Sequence, residues 1–313
     1  MYFFRREKIQ CRYQFSLRDA VDITLLQRAL TAALSSAPYY TQRLVQEKRE
    51  MWLEPNTEPC LVYPGSTMRN IPEQTNGYLF CVSCEGDTVY FDWHHFLLDG
   101  HGVSPLLTSI LEQYCNLRYG TAFAVPQIMC DPPYDMQAML AEYPPVEGGS
   151  DVIQRDVVQT YEGALRRTRV CLSKQSLVEK ALANNAKPVS ALMGLLCMAM
   201  REYLGKENVR YSYSSDTRDV AGVPNALYNC VCSFQHEVQL QPQIRLADFV
   251  ADVDADIKRD LQPESKRHRM ADQMGWVYKV DQQKAPLRIK QRVFQMGEYI
   301  GGTISDFWLS YLG

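Results

Sequence analysis

The sequence predicts an α/β protein of two domains, and three observations lead to that prediction. Strand-like and helix-like segments alternate through both halves of the chain. A length of 313 residues suits about two domains of ordinary size. Between the halves, prolines and glycines punctuate a stretch with little periodicity. We therefore predict an N-terminal lobe over 1–120, an irregular linker over 121–159 and a C-terminal lobe over 160–313.

The first lobe opens with a strand and an amphipathic helix. The strand is predicted over Cys11 to Leu17, and Asp22 leads the helix. Apolar residues recur in the helix at spacings of three and four, which places them on one face. These residues are Leu25, Leu26, Ala29, Leu30, Ala33 and Leu34.

A further strand, Asp87 to Trp93, runs into His94 to Gly100, which has the form His-His-x-x-x-Asp-Gly. Histidine suits proton removal from a hydroxyl or an amine, because its unperturbed pKa lies closest to neutrality. A nearby carboxylate can fix geometry by pairing with an arginine, and a glycine permits a tight turn or close backbone approach. After the motif, Ser104 is interpreted as the N-cap of a helix and Pro105 as its first residue.

The second half continues the alternation. The segment Asp216-Thr217-Arg218 follows a predicted strand, and after a loop Tyr228-Asn229-Cys230 opens another. The predicted elements are a strand at Arg167 to Leu172, a helix capped by Ser173, a helix from Ala191 to Tyr203 capped by Ser190 and ended by Gly205, and strands at Val209 to Ser214 and Val231 to Phe234.

The motif, the order of elements around it and the later Asp-x-Arg segment resemble the chloramphenicol acetyltransferase-like superfamily of thioester-dependent acyltransferases. This superfamily includes peptide-synthetase condensation domains and alcohol acetyltransferases. The resemblance implies two similar α/β lobes, each with a mixed sheet flanked by helices. It also implies an active-site tunnel between the lobes.

The resemblance assigns roles to individual residues. It implies that His95 is the general base. Because neighbouring side chains of a strand point to opposite faces, we expect His94 to have a packing role. Asp99 and Gly100 are structural, and Arg218 is the implied partner of Asp99. The segment Thr303 to Gly313 is similar to the family's late Ser-x-x-Gly strand. The remaining candidates, for the tunnel wall or for stabilising an oxyanion, are Ser310 and Asn229.

The function implied is transfer of an acyl group from an acyl thioester to an alcohol or amine. Acyl-CoA is the expected co-substrate, with no bound cofactor and no covalent acyl-enzyme. Three alternatives remain: a condensation-type protein whose donor is carried by a carrier protein, a catalytically inactive binding or scaffold remnant, and a chance occurrence of the motif. The chain has no carrier or adenylation segment, which favours free acyl-CoA.

Composition excludes several classes of protein. Hydrophobic residues make up 46% and charged residues 22% of the chain, with a net charge of −3. This balance argues against nucleic acid as a partner. No apolar run approaches the length of a membrane span, and the first six residues lack the hydrophobic core of a signal peptide. We therefore expect a cytoplasmic protein, and its ten scattered cysteines suit a reducing compartment.

Two side-chain patterns have a structural and a functional interpretation. Cys81, Cys84, Cys230 and Cys232 together offer four zinc ligands, but all lie in strand-like sequence, which favours core packing and no metal site. The basic run Lys266 to Arg269 predicts a solvated helix face, with contact to the phosphates of coenzyme A as the alternative.

The end of the sequence raises one more expectation. Members of the resembled family continue for several more strands and a helix, whereas this sequence stops at Gly313. An apolar strand left without neighbours exposes unpaired backbone groups. We expect an incomplete C-terminal lobe, completed by a second chain, an oligomer partner or an exchanged segment.

Overall fold

The computed structural model describes residues 10–144, 170–301 and 305–310. They form two compact units that are discontinuous in sequence. The first unit contains residues 10–135, 221–230 and 276–296, and the second contains the remaining described residues. Residues 221–230 and 276–296, which the sequence analysis assigned to the C-terminal lobe, therefore pack with the N-terminal residues.

The first unit is built around a mixed sheet. Its strands follow the order β1-β6-β5-β4, antiparallel except for β4, which is parallel to β5, and β2 and β3 form a separate hairpin. The elements are β1 (Gln10–Ser16), α1 (Ile23–Ser35), β2 (Gln42–Gln46), β3 (Met51–Pro55), β4 (Val62–Pro64), β5 (Phe80–Glu85), β6 (Thr88–His94) and α2 (Gly100–Tyr119).

Helix α1 confirms the predicted Asp-led helix. Its buried face is Leu26, Ala29, Leu30, Ala33 and Leu34. Asp22 is the N-cap, and its Oδ1 accepts hydrogen bonds from the backbone N–H of Thr24 at 2.9 Å and of Leu25 at 3.1 Å. These are donors that a helix start otherwise leaves without an intrahelical partner.

Replacing Asp22 with Ala is expected to lower the free energy of unfolding by about 1 kcal/mol, because both N–H groups lose their acceptor. Asp22→Asn should retain most of the stability, because one amide oxygen can replace the single carboxylate oxygen in use. Urea unfolding of the three proteins checks this. Equal losses in the two variants would contradict the capping role.

Strand β6, which leads into the motif, is buried on both faces. Phe91 and Trp93 belong to the apolar core under the helices. Asp92 lies between them and points to the other face. There it is fully buried, and Arg12 donates to its two oxygens at 2.6 and 2.8 Å. This bidentate ion pair stabilises the pairing of β1 with β6 just before the histidines.

The second unit is built around a sheet of order β8-β7-β9, with β7 antiparallel to β8 and parallel to β9. Strand β9 lies inside the predicted strand Thr303 to Gly313. Of that predicted strand, the structure describes residues 305–310 only. The elements are α3 (Met136–Glu142), α4 (Lys174–Ala183), α5 (Pro188–Leu204), β7 (Asn208–Asp216), α6 (Arg218–Ala221), β8 (Val231–Gln239), α7 (Leu246–Asp260), α8 (Pro263–Asp281), α9 (Leu287–Gly301) and β9 (Phe307–Leu309). Three of these helices, α6, α8 and α9, contribute residues to both units.

The predicted helix ends of this unit are right at two positions and wrong at a third. Ser173 caps α4 and accepts a hydrogen bond from Ser176 N–H, and Gly205 ends α5 with φ of 64°. Ser190 does not cap α5, because the helix begins at Pro188 and Ser190 lies in its first turn. The Ser190 hydroxyl instead donates to the buried Asp254 of α7 at 2.7 Å.

Some predictions fall partly outside the described residues. Residues 145–159 of the linker and 167–169 of the predicted strand Arg167 to Leu172 lie there, and residues 170–172 have no regular secondary structure. Helix α3 interrupts the described part of the linker. In the ranges that the structure describes, no helix is both long enough and apolar enough to cross a membrane.

Candidate active site

The two histidines of the motif occupy different environments. His94 ends β6, is 4% exposed, and places its ring edge-on against Phe96 at 4.8 Å between centroids. His95 is half-buried in the turn that leads from β6 to α2. The backbone closes this turn with a 3.0 Å bond from Leu97 N–H to the His94 carbonyl. The burial of His94 agrees with its predicted packing role.

Helix α2 begins earlier than the sequence predicts. Asp99 is its N-cap and Gly100 its first residue. Ser104 is therefore not the N-cap, and its hydroxyl donates to the Gly100 carbonyl at 2.9 Å. Pro105 lies within the helix. The prediction failed because a serine before a proline is a common signal for the start of a helix. In the structure, the Asp99 carboxylate caps the helix five residues earlier.

Asp99 joins two distant parts of the first unit through backbone groups. Its Oδ1 accepts from Gly102 N–H at 2.8 Å, and its Oδ2 accepts from Cys230 N–H at 2.9 Å, across 131 residues of sequence. The side chain is 2% exposed, so water competes little for these bonds. Asp99 thereby holds the segment 221–230 against the start of α2.

Asn229, which precedes Cys230, makes direct contact with the candidate base. Its side-chain Nδ2 lies 3.0 Å from His95 Nδ1 and donates to the His95 carbonyl oxygen at 3.1 Å. The sequence resemblance placed Asn229 near the tunnel wall or an oxyanion. The structure places its amide against the ring and backbone of His95.

Gly102 is a structurally constrained position that the sequence analysis missed. A Cβ atom at this residue would lie 1.8 Å from the backbone oxygen of Leu227. Only a glycine therefore lets α2 approach the segment 221–230 so closely. The Gly102 carbonyl also accepts from the Tyr40 hydroxyl at 2.6 Å. The spacing Asp-Gly-x-Gly was the available signal.

Tyr39 supports the motif turn from the side of the 3-10 turn Pro38–Tyr40. Its hydroxyl donates to the Leu97 carbonyl at 2.9 Å. Burial raises the pKa of Tyr39 well above its ordinary value. The side chain therefore stays neutral and keeps its proton for this bond at physiological pH.

Arg218 and Ser310 belong to the second unit. Arg218 is 4% exposed, and its Nη1 and backbone N–H each lie 3.0 Å from Asp216 Oδ1. Ser310 is exposed and follows β9 directly. An ion pair between Arg218 and Asp99 would join the two units and stays a prediction, as does a role for Ser310 in catalysis.

The basic run on α8 is more buried than predicted. Lys266 is 7% exposed and pairs with Asp219 at 2.6 Å, and Arg269 donates to the Ser233 carbonyl. The interpretation as a solvated face is therefore wrong for these two residues. Their positive groups already have partners within the second unit.

The cysteine pairs are buried, as core packing predicts. Burial raises the pKa of Cys81 and of Cys232 to about 12. These thiols therefore stay protonated at neutral pH, as structural buried cysteines do. Within the described ranges, no three His, Cys, Asp or Glu side chains are grouped so that they could hold a metal ion.

Asp99→Asn is expected to lower the free energy of unfolding by about 1–3 kcal/mol. Both oxygens of Asp99 accept from buried N–H groups. In the asparagine variant, the side-chain NH2 group replaces one of these oxygens and faces a backbone N–H group, so that both groups are donors. Asp22→Asn is the matched control, because Asp22 uses one oxygen for both of its bonds. Urea unfolding compares them. Similar small effects at the two sites would contradict the bridging role of Asp99.

No family model matches the sequence, and a search of curated proteins finds no match to it. Solved structures are similar to it. One is polyketide synthase associated protein 5 from Mycobacterium tuberculosis, with a TM-score of 0.63, 18% identity, and coverage of 83% of this chain and 71% of that one. The first condensation domain of the CDA synthetase has a TM-score of 0.55 and 16% identity, with coverage of 86% of this chain and 72% of that one. F. sporotrichioides TRI101, solved with coenzyme A and T-2, has a TM-score of 0.57 and 10% identity, with coverage of 97% of this chain and 79% of that one.

These similarities establish the fold at low sequence identity. The chain has the α/β fold of these structures, one of which is a condensation domain. The fold class predicted from the motif and its surroundings is therefore confirmed.

Proposed function

We propose that this protein is an acyltransferase that moves an acyl group from acyl-CoA to an alcohol or an amine, with His95 as the general base. The observation that carries the proposal is the placement of His95. It is half-buried in the turn between β6 and α2, and Asn229 fixes both its ring and its carbonyl. A base must be held in place in this way to act on a bound hydroxyl or amine.

The reaction needs no covalent acyl-enzyme. The acceptor oxygen or nitrogen attacks the thioester carbonyl carbon while His95 takes the acceptor's proton. The resulting tetrahedral intermediate expels the thiolate of coenzyme A, and His95 returns the proton to that sulfur. Every proton and electron pair is accounted for by the two substrates and one imidazole, so no nucleophilic serine or cysteine is needed.

Asp99 has a structural role in this mechanism. Its two oxygens accept from the backbone of Gly102 and Cys230. By holding Cys230 it also holds the neighbouring Asn229 against His95. The carboxylate therefore positions the base through the segment 221–230 and differs from the acid of a catalytic triad, which bonds the histidine ring directly.

A carrier-bound donor is the second candidate. The similarity to the first condensation domain of the CDA synthetase supports it. A carrier protein presents the acyl thioester on a pantetheine arm, so the reacting atoms are the same as in acyl-CoA. Acyl-pantetheine shares those atoms but lacks the nucleotide of coenzyme A. Comparing the two donors therefore tests whether the nucleotide is recognised.

Release of free thiol tests the proposal. The protein is mixed with acetyl-CoA, longer acyl-CoAs or acyl-pantetheine, together with a panel of alcohols and amines. The expected result is thiol release that depends on one class of acceptor and is faster with acyl-CoA than with acyl-pantetheine. Equal rates with both donors would favour the carrier-bound alternative. No release above the uncatalysed rate with any pair would overturn the function in favour of a binding protein.

A further inference from the structure

Helix α9 carries apolar side chains on two sides. Its inward side includes Leu287 and Phe294, which belong to a small buried apolar cluster of the first unit. On its outward side, Ile289, Val293 and Met296 are 51%, 39% and 62% exposed. Their spacings of four and three residues place them in one stripe along the helix. Single exposed apolar residues are ordinary, whereas an aligned stripe that the described residues leave uncovered indicates a docking surface.

Exposed basic residues border this stripe. Arg288 and Arg292 lie about one turn apart on α9, and the β2–β3 turn adjoins the start of the helix, where Leu287 N–H donates to the Lys48 carbonyl at 2.9 Å. The basic face, as we name it, consists of five exposed residues: Lys48, Arg49, Lys284, Arg288 and Arg292. None of the five forms an ion pair with a described residue. The same segments carry three exposed acidic residues, Glu47, Glu50 and Asp281. This corner therefore has an excess of positive charge, although the net charge of the chain is −3.

A cavity of about 770 Å³ opens between the β2–β3 turn and the loop that joins α8 to α9. Its charged lining residues are Arg49, Glu50, Asp281, Lys284 and Lys290. Lys290 is only 7% exposed, and its ammonium group donates to the Asp281 carbonyl and lies 3.6 Å from the Asp281 carboxylate. An ammonium group has three protons to donate. Lys290 can therefore also donate to an anionic group that enters the cavity.

The stripe, the basic face and the cavity together favour an anionic membrane surface as the partner. A bilayer accepts apolar side chains at its interface while cations beside them reach the anionic headgroups. A second copy of the chain in a two-fold contact would place one basic face against another, and like charges repel. The cations are spread over a hairpin turn, a loop and a helix, which suits a broad surface better than a single acidic helix. We propose that α9 and the basic face bind this protein to membranes that contain anionic lipid, with a headgroup phosphate in the cavity.

Co-sedimentation with lipid vesicles tests the proposal without any substrate. The expected result is binding to phosphatidylcholine vesicles that contain about one-third phosphatidylserine, and little binding to phosphatidylcholine alone. Raising NaCl to about 0.5 M should release most of the protein, because salt screens the attraction between exposed charges.

Substitutions on α9 separate the two contributions to binding. Arg288→Gln and Arg292→Gln should each lower the partition coefficient by about 5-fold, the worth of one basic residue near an anionic surface. Ile289→Gln should lower it by about 5- to 10-fold, because an apolar side chain no longer enters the lipid interface. Circular dichroism verifies that each variant is folded.

The matched controls are Arg28→Gln and Ile23→Gln, which make the same changes at exposed residues of α1 in the same unit. They should leave vesicle binding unchanged. The proposal is overturned if the wild-type protein does not bind anionic vesicles, or if it binds both kinds of vesicle equally. It is also overturned if the α9 variants bind as well as the controls. Since no turnover is measured, these outcomes do not depend on whether the proposed acyl transfer occurs.

Discussion

His95→Gln is expected to lower the rate of acyl transfer by about 10²- to 10⁴-fold, the usual contribution of a general base. Glutamine is close to histidine in length but has no basic nitrogen, so the proton of the acceptor has no destination. The fold should survive, because His95 lies in a turn and is only half-buried. Initial rates of thiol release, together with circular dichroism, measure both effects.

The control for this prediction is His101→Gln. His101 is exposed in the first turn of α2, six residues from His95, and should be replaceable with little change in rate. His94→Ala is expected to act differently again. It removes a buried ring and should lower stability more than the intrinsic rate. A His95→Gln protein with most of the wild-type rate would rule out His95 as the base.

Gly102→Ala is expected to destabilise the first unit by more than about 3 kcal/mol, beyond the usual cost of overpacking. The new Cβ would lie 1.8 Å from the Leu227 backbone oxygen, far inside van der Waals contact. The segment 221–230 would have to move away from α2. The Asp99–Cys230 bond and the contact of Asn229 with His95 would weaken together, so activity should fall as well. Urea unfolding followed by circular dichroism gives the stability.

Gly194→Ala is the matched control, because it makes the same substitution inside a helix. Its new Cβ would lie 2.6 Å from a Leu246 methyl group, which can move, and 3.6 Å from the Phe249 ring. Alanine also favours a helix over glycine by about 1 kcal/mol. The two effects oppose each other, and a small net change is expected. Equal destabilisation by both variants would show that the contact with Leu227 has no special importance.

The features that sequence alone predicted are those with a local cause. Asp22 precedes a run of regularly spaced apolar residues, and the helix begins after it. His94 and His95 follow a strand-like run, and β6 ends at His94. Strand alternation and helix periodicity involve neighbours within a few residues, so the pattern is visible in the sequence.

The features that sequence could not predict depend on backbone groups far apart in the chain. The side-chain partner implied for Asp99 stays a prediction, and the bonds that nobody could foresee from residue types go to N–H groups of Gly102 and Cys230. Every residue except proline has such a group, so no residue type signals it. The same reasoning applies to Gly102. The spacing Asp-Gly-x-Gly is visible in the sequence, but the Leu227 carbonyl that makes a glycine necessary there is not.

The most direct test of the account follows a labelled acyl group from thioester to acceptor. The wild-type protein and His95→Gln are each given ¹⁴C-acetyl-CoA and the acceptor that supports thiol release. The label is then located on small molecules and on protein. The account predicts one labelled acceptor for each thiol released by the wild-type protein, no labelled protein, and a label transfer about 10²- to 10⁴-fold slower in the variant. Label that passes through the protein, or equal transfer by the two proteins, would contradict direct transfer with His95 as the base.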